Sequence, residues 1–357
     1  MPDSMSYKFK SNCLKFSSLL AFMLLLQTVT AQYNFSAVDE LLSKNQKLLG
    51  GDVIVMIYKD GKVIYKKEPS KEKEFTGKTQ APVASCSKWL TAALAMIFVE
   101  EGKISLDDPV SKYIPIFTSY SKRYVTIRNC LSHTTGIHAE EPGLKSAIQN
   151  KKFSTLEEEV NSFARREIER NPGEMFFYSN IGLNIVGRIL EIVSKKTFDR
   201  LISERLLRPL KMRQTTFYLD YDKPFNPSGG AISTANDYMN FLVMILDKGM
   251  FEGKRILSEK SIAEMQKVQT GNAVVKYQPA VALGYGYGLG EWIRDKDAAG
   301  AGTVITSPGL YGTYPLVDYC RGYASLIFVK TLLNEQKKEV YDDIKEAIDQ
   351  QISSSCK

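Results

Sequence analysis

The chain has 357 residues, of which 44% are hydrophobic and 24% charged, a composition typical of a globular protein and unlike that of a disordered, collagenous or coiled-coil chain. Its formal net charge of +7 is mild, and basic residues are interleaved with acidic ones, so no nucleic-acid-binding surface is expected. The two histidines, His133 and His138, and the absence of close cysteine pairs argue against a zinc site, and we expect neither metal nor cofactor.

Residues 1–31 are predicted to form a cleavable export signal. Three lysines precede an apolar run at residues 16–26, and small residues at 28–31 follow it where a signal peptidase would cut. The run is shorter than the roughly 20 residues that span a bilayer, which favours cleavage over a membrane anchor and predicts no stable membrane span afterwards. We therefore expect a periplasmic or secreted protein. An oxidising compartment permits disulfides, but spacing does not fix the pairing among Cys86, Cys130, Cys320 and Cys356.

After the signal, the pattern predicts a short helix, then a hairpin, then a buried helix. Apolar residues at 53–58 and 63–65 flank Asp60-Gly61, and both of these residues suit the positive φ of a two-residue hairpin turn. Residues 89–99 are apolar on every face, which predicts a buried helix. Further helices are predicted at residues 126–132, 155–169, 181–195, 198–207, 234–249 and 258–267, strands at 284–294 and 314–329, and a last helix near 340–352.

This order of elements predicts the α+β class. Strands at both chain ends and helices between them are typical of one antiparallel sheet with an inserted helical block, not of the alternating pattern that builds a parallel sheet. We predict a sheet domain made of residues 32–82 and 280–357, and a helical domain at 83–279 that carries the buried helix.

A serine and a lysine three positions apart head the buried helix. Residues i and i+3 of a helix are neighbours, so Ser85 and Lys88 place a hydroxyl against an amine. Burial would lower the pKa of that amine and allow it to act as a base. The same spacing occurs at Ser70 and Lys73 and at Ser119 and Lys122, but polar neighbours predict that both of those pairs lie on the solvated surface.

A second chemical signal is Tyr178-Ser179-Asn180, which follows the turn at Asn171-Pro172-Gly173. A tyrosine beside a cationic lysine can pass a proton to a leaving group, and an asparagine amide can orient both the substrate and the lysine.

Four motifs then occur in a fixed order along the chain: Ser85-x-x-Lys88, Val125-Thr-Ile-Arg-Asn-Cys-Leu-Ser-His-Thr-Thr-Gly-Ile137, Pro172-Gly-Glu-Met-Phe-Phe-Tyr-Ser-Asn180 and Gly229-Gly-Ala-Ile-Ser-Thr-Ala235. Together they resemble the penicillin-recognising serine hydrolases, in particular class C β-lactamases, D-alanyl-D-alanine peptidases and related esterases. The resemblance covers roughly residues 40–330 and implies a β-lactamase/transpeptidase-like fold with its cleft between the two domains. It also implies an acyl-enzyme mechanism with Ser85 as nucleophile, Lys88 as base, Tyr178 as proton relay and Asn180 orienting the substrate.

The chain departs from this family at its third motif. A Lys-Thr-Gly or His-x-Gly triplet is expected on a late strand, and this sequence offers Thr306-Ser307-Pro308-Gly309, with no cation. Thr306, Ser307 and Gly309 are therefore predicted to contact the substrate without supplying a charge for a carboxylate. Pro308 has no N–H to donate, which predicts an edge or bulged strand at this point.

These observations predict an exported serine hydrolase that acts on a small-molecule or peptide ester, amide or β-lactam. Esterase or D-Ala-D-Ala peptidase-like activity is favoured over strong β-lactamase activity because the cation is missing. The alternative is a catalytically weak binding protein that keeps the fold and senses cell-wall fragments or peptides. The sequence does not indicate whether the protein is a monomer or an oligomer.

Overall fold

An antiparallel sheet of seven strands runs through the computed structural model, which describes residues 33–69, 74–140, 153–217, 225–332 and 336–356. The predicted export signal and the Ser70–Lys73 pair lie outside the described residues. In chain order the elements are α1 Ser36–Lys44, β1 Val53–Lys59, β2 Lys62–Lys67, β3 Ala81–Pro82, α2 Ser87–Glu100, α3 Ile116–Ser119, α4 Ile127–Leu131, α5 Leu156–Arg165, β4 Met175–Phe177, α6 Ile181–Ser194, α7 Phe198–Ile202, β5 Ile232–Ser233, α8 Ala235–Leu246, β6 Met250–Phe251, β7 Lys254–Arg255, α9 Glu259–Met265, β8 Val274–Tyr277, β9 Gly286–Tyr287, β10 Trp292–Lys296, β11 Gly302–Thr306, β12 Tyr314–Asp318, β13 Tyr323–Val329 and α10 Lys338–Asp349.

The sheet joins the two ends of the chain. Its strand order is β2-β1-β13-β12-β11-β10-β9, and Val53 at the start of β1 pairs with Val329 at the end of β13. All of its strands lie within residues 53–67 and 286–329, so the predicted antiparallel sheet from both chain ends is confirmed. The predicted domain boundaries at 82–83 and 279–280 stay a prediction.

The hairpin and the buried helix form where the sequence predicts them. Asp60 and Gly61 take φ values of 49° and 79° between β1 and β2, as a two-residue hairpin turn requires. The side chains of α2 are buried from Ser87 to Phe98, and this helix packs against α6. The terminal helices α1 and α10 pack against each other.

Several details differ from the predictions. The helix predicted at 198–207 is an α-helix at Phe198–Ile202 and a π-helix at Ser203–Leu207, and strand β8 was not predicted. The prediction of an edge or bulged strand at Pro308 is wrong: β11 pairs on both sides and ends at Thr306, so the proline falls after the strand and removes no ladder hydrogen bond. Lys122 was predicted to be solvated and is only 3% exposed, with its Nζ donating to the Tyr120 carbonyl at 3.2 Å.

The helices of the described ranges are all too short or too polar to cross a membrane.

Candidate active site

Ser85 lies in a one-turn 3₁₀ segment, Ala84–Cys86, directly before α2. Three contacts hold this turn. The Ser87 hydroxyl donates to the Ala84 carbonyl at 2.5 Å and accepts the Ala231 N–H at 2.9 Å, and the Tyr238 hydroxyl donates to the Cys86 carbonyl at 2.9 Å. Ala84 itself adopts a φ of 45°, in the left-handed region that disfavours residues with a Cβ. The half-buried Ser85 is thus presented on a fixed, sharply bent turn.

The Lys88 amine lies one turn further along and contacts three oxygen atoms. Its Nζ is 3.2 Å from Ser85 Oγ, 3.0 Å from Asn180 Oδ1 and 2.9 Å from the Ser228 carbonyl oxygen. The side chain is 1% exposed, and burial lowers the pKa of Lys88 to about 7 because the charged form loses its hydration. Near neutral pH a substantial fraction of this amine is therefore uncharged and able to take a proton from the adjacent hydroxyl.

Tyr178 and Asn180 reach the same point from the segment between β4 and α6. Lys88 Nζ lies 4.8 Å from the centre of the Tyr178 ring. Burial raises the pKa of Tyr178 above its ordinary value, and hydrogen bonding with the Ser85 and Trp292 side chains acts against that rise. The phenol is therefore protonated near neutral pH and able to donate.

Aromatic rings fix the position of Tyr178. The centres of the His133 and Trp292 rings lie 4.7 and 5.0 Å from that of Tyr178. His133 Nδ1 accepts the Ser179 N–H at 3.4 Å, which leaves Nε2 to carry the proton and donate to the Tyr287 hydroxyl at 3.0 Å. Burial, aided by the nearby Lys88 charge, lowers the pKa of His133 well below its usual value, so this ring is a neutral support rather than a base.

The third motif lies beside the nucleophile turn. The Ser307 hydroxyl donates to the Ser85 carbonyl at 3.4 Å, and a Cβ added to Gly309 would meet the Val83 carbonyl oxygen at 2.2 Å. Thr306 is fully buried, and its hydroxyl donates to the Pro315 carbonyl on the neighbouring strand at 2.6 Å. Of the three residues predicted here to contact substrate, Ser307 contacts Ser85, Gly309 lies against Val83 and Cys86 of the same turn, and the Thr306 hydroxyl is used within the sheet.

One atom of the candidate site had no sequence signal. The Ser228 carbonyl accepts a hydrogen bond from Lys88, but any residue has a carbonyl, so only the folded loop brings it there. Its neighbours Gly229 and Gly230 open the fourth motif, which is the nearest sequence feature. Within the described ranges no three His, Cys, Asp or Glu residues group as metal ligands would.

The family model described as "Beta-lactamase" matches residues 39–348. This chain belongs to the Beta-lactamase family. The resemblance and the fold class predicted from the sequence are thereby confirmed. Among solved structures, a candidate β-lactamase from Bacteroides dorei is similar, with a TM-score of 0.78, 29% identity and coverage of 89% of this chain and 99% of that one. An octameric penicillin-binding protein homologue from Pyrococcus abyssi gives a TM-score of 0.67 at 25% identity, covering 84% and 74% of the two chains.

Relatives of this Beta-lactamase family member are also found by sequence. "Protein flp" of Staphylococcus aureus strain MW2 is 30% identical over 171 residues, which cover 46% of this chain and 34% of the staphylococcal protein. The match thus spans about a third of that longer relative. The fold is shared with EstCE1, described as a hydrolase with promiscuous acyltransferase activity, at a TM-score of 0.73, 21% identity and coverage of 88% and 97%. Members of this fold family are typically hydrolases.

Proposed function

We propose that this protein is a serine hydrolase that cleaves an ester, amide or lactam through an acyl-enzyme on Ser85. The observation that carries the proposal is the placement of the Lys88 amine, buried and with a pKa of about 7, at 3.2 Å from Ser85 Oγ. An amine in its uncharged form at hydrogen-bond distance from a hydroxyl is the arrangement that nucleophilic catalysis by serine needs.

In the acylation step, Ser85 Oγ forms a bond to the substrate carbonyl carbon while its proton passes to Lys88 Nζ. The carbonyl oxygen becomes an oxyanion, for which the Ser85 backbone N–H is a suitable donor, since it donates to no backbone carbonyl of the described residues. The bond to the leaving group then breaks as the Tyr178 phenol protonates the departing atom. The Lys88 ammonium, beside the ring, returns a proton to the phenolate.

In the deacylation step, water adds to the acyl carbon and gives a proton to the pair formed by Lys88 and Tyr178. The bond from Ser85 Oγ to the acyl carbon then breaks, Oγ takes that proton from the pair, and the carboxylic acid product leaves. Asn180 Oδ1 accepts from Lys88 Nζ at 3.0 Å, which keeps the amine directed at Ser85 throughout the cycle.

The third motif supports a preference for substrates without a carboxylate. Ser307 stands beside Ser85 where the family has Lys or His, so no charge is available there to pair with the carboxylate of a penicillin or a peptide terminus. We expect a short-chain nitrophenyl ester to be hydrolysed with a higher kcat/KM than nitrocefin or a D-Ala-D-Ala peptide. Faster turnover of nitrocefin than of the ester would contradict this ranking.

Covalent labelling tests the nucleophile. A fluorophosphonate or a fluorescent penicillin should label the wild type and leave Ser85→Ala unlabelled, because the reagents bond to an activated serine hydroxyl. Ser119→Ala is the matched control, since it changes the serine of the other described Ser-x-x-Lys pair, and it should label as the wild type does. Failure of both reagents to label the wild type would instead favour a binding protein, the role that the missing third-motif cation also suits.

We also propose export to the periplasm or the medium. The support is the signal-like pattern of residues 1–31 and the disulfide between Cys320 and Cys356, a bond that persists in oxidising compartments. Intact mass of the protein from the exported fraction should correspond to a chain that starts at Gln32, and a full-length mass would contradict cleavage.

A further inference from the structure

A buried carboxyl group lies behind the candidate active site. Glu159 on α5 is 3% exposed, whereas Glu157 and Glu158 beside it are exposed. Burial raises the pKa of Glu159 to about 7, while a hydrogen bond with Asn184 and the charge of Arg166 act in the opposite direction. Burying a carboxyl group costs free energy unless its oxygen atoms form hydrogen bonds. For Glu159 that hydrogen bond is with Asn184.

That partner begins a chain of hydrogen bonds that ends at Lys88. Asn184 Nδ2 on α6 donates to Glu159 Oε2 at 3.1 Å, and Asn184 Oδ1 accepts the Ser228 N–H at 3.0 Å. The Ser228 carbonyl then accepts from Lys88 Nζ at 2.9 Å. The Ser228 N–H can only donate, so the Asn184 oxygen faces it and the amide NH₂ faces Glu159.

The loop that carries Ser228 is also held at two other points. Asn226 Oδ1 accepts from the Ser228 N–H at 3.2 Å and from its hydroxyl at 2.7 Å, and the Thr91 hydroxyl donates to the Pro227 carbonyl at 2.6 Å. The Asn226 contacts lie within the loop and move with it. Asn184 ties the Ser228 peptide to α6, and Glu159 fixes the orientation of that amide.

We propose that Glu159 and Asn184 are positioning residues that hold the Ser228 carbonyl against the Lys88 amine and so direct this amine at Ser85. The inference rests on the proposed function, in which Lys88 is the base. A carbonyl oxygen at hydrogen-bond distance stabilises the ammonium form, so loss of the Ser228 contact should lower the pKa of Lys88 further and misdirect the amine.

The test compares Asn184→Leu and Glu159→Leu with Glu159→Gln, which keeps an acceptor oxygen of similar shape for Asn184. Glu157→Leu is the matched control, because it removes an exposed carboxylate of the same helix. The first readout is the titration of the Lys88 side chain by NMR in ¹³C-lysine-labelled protein, with the signal assigned from its loss in Lys88→Arg. The second is the rate of fluorophosphonate labelling of Ser85 across pH 5–9, with the melting temperature measured in parallel.

We expect the two leucine variants in the chain of contacts to lower the Lys88 midpoint by about half a unit or more and the labelling rate by about tenfold or more. Glu159→Gln and Glu157→Leu should keep the wild-type midpoint and label within about threefold of the wild-type rate. A wild-type Lys88 midpoint in Asn184→Leu and Glu159→Leu would overturn the inference, whatever their melting temperatures. Absence of labelling in the wild type would overturn the proposed function instead, and the NMR titration would still decide the positioning role.

Discussion

At the scale of single residues, Lys88 shows what burial does to a charged group. Its side chain is 1% exposed, and the hydrogen-bond partners described for its amine are oxygen atoms of Ser85, Asn180 and Ser228. None of these oxygen atoms belongs to a carboxylate, so the three contacts supply no negative charge to offset the hydration that the ammonium form loses on burial. The same residue would have an ordinary pKa on the surface. Burial, rather than residue type, lowers the pKa of this lysine and suits it to the proposed role of base.

A pH dependence follows from that burial. The uncharged amine is the reactive form, so the rate of fluorophosphonate labelling of Ser85 should rise with pH through about 7, far below the ordinary lysine pKa. The pKa of Tyr178 is raised, so the phenol stays protonated up to pH 10 and no loss of rate is expected between pH 8 and 10. Labelling rates measured from pH 5 to 10 check this, and a rise that begins only near pH 10 would show that burial does not lower the pKa of the amine.

Gly309 provides a steric prediction at the same scale. A Cβ there would lie 2.2 Å from the Val83 carbonyl oxygen and 3.0 Å from Cys86 Sγ, so Gly309→Ala must push the third motif away from the nucleophile turn. We expect a loss of about 1–3 kcal/mol in the free energy of unfolding and at least about a tenfold loss of ester hydrolysis. Denaturant unfolding and esterase assays measure both effects.

The control for Gly309→Ala is Gly271→Ala. A Cβ at Gly271 meets no heavy atom within 4 Å, so this change should leave stability and hydrolysis unaltered. If the two variants had the same free energy of unfolding and the same rate of ester hydrolysis, the close approach of Gly309 to Val83 would have no effect on stability or activity.

At the scale of elements, the turn that leads into α2 stores backbone strain at Ala84, whose φ is 45°. Glycine reaches this conformation freely, but it also gains more freedom in the unfolded chain. The two effects are each about 1 kcal/mol, so Ala84→Gly should leave the free energy of unfolding unchanged within about 0.5 kcal/mol. Ala263→Gly, on the exposed side of α9, should cost about 1 kcal/mol because no strain is relieved there. Equal costs in denaturant unfolding would contradict the strain at residue 84.

Local signals account for the elements that the sequence predicts well. The Asp60-Gly61 turn, the apolar helix α2 and the helices near 127–131 and 181–194 depend on turn chemistry or on hydrophobic pattern, and both are readable in one segment. Strand β8, which pairs with the distant β4, and the burial of Lys122 depend on contacts with other segments of the chain. For the candidate site, the sequence pointed to Ser85, Lys88, Tyr178 and Asn180, while the Ser228 carbonyl and Glu159 have no local signature.

At the scale of the whole molecule, the Cys320–Cys356 disulfide ties the end of the chain to the turn between β12 and β13, across a separation of 36 residues. A crosslink of this span stabilises by about 2–4 kcal/mol, chiefly by restricting the unfolded chain. The Cys320→Ser/Cys356→Ser double variant should therefore melt about 3–6 °C below the oxidised wild type. Reductant should lower the melting temperature of the wild type and not that of the variant. If reductant lowered the melting temperature of the wild type and of the variant equally, the effect would have a cause other than this disulfide.

The pairing of the first sheet strand with the last one sets the order in which this chain can fold. Strand β1 is made early during synthesis, but its partner β13 leaves the ribosome only after every helix of the intervening segment. Until then β1 and β2 form an isolated hairpin, which is at best marginally stable in water. Contacts between such distant parts of a chain form slowly. The nascent chain therefore carries the turn at Ser85 before its sheet exists, and the arrangement of side chains around Ser85 can form only once β13 has been synthesised.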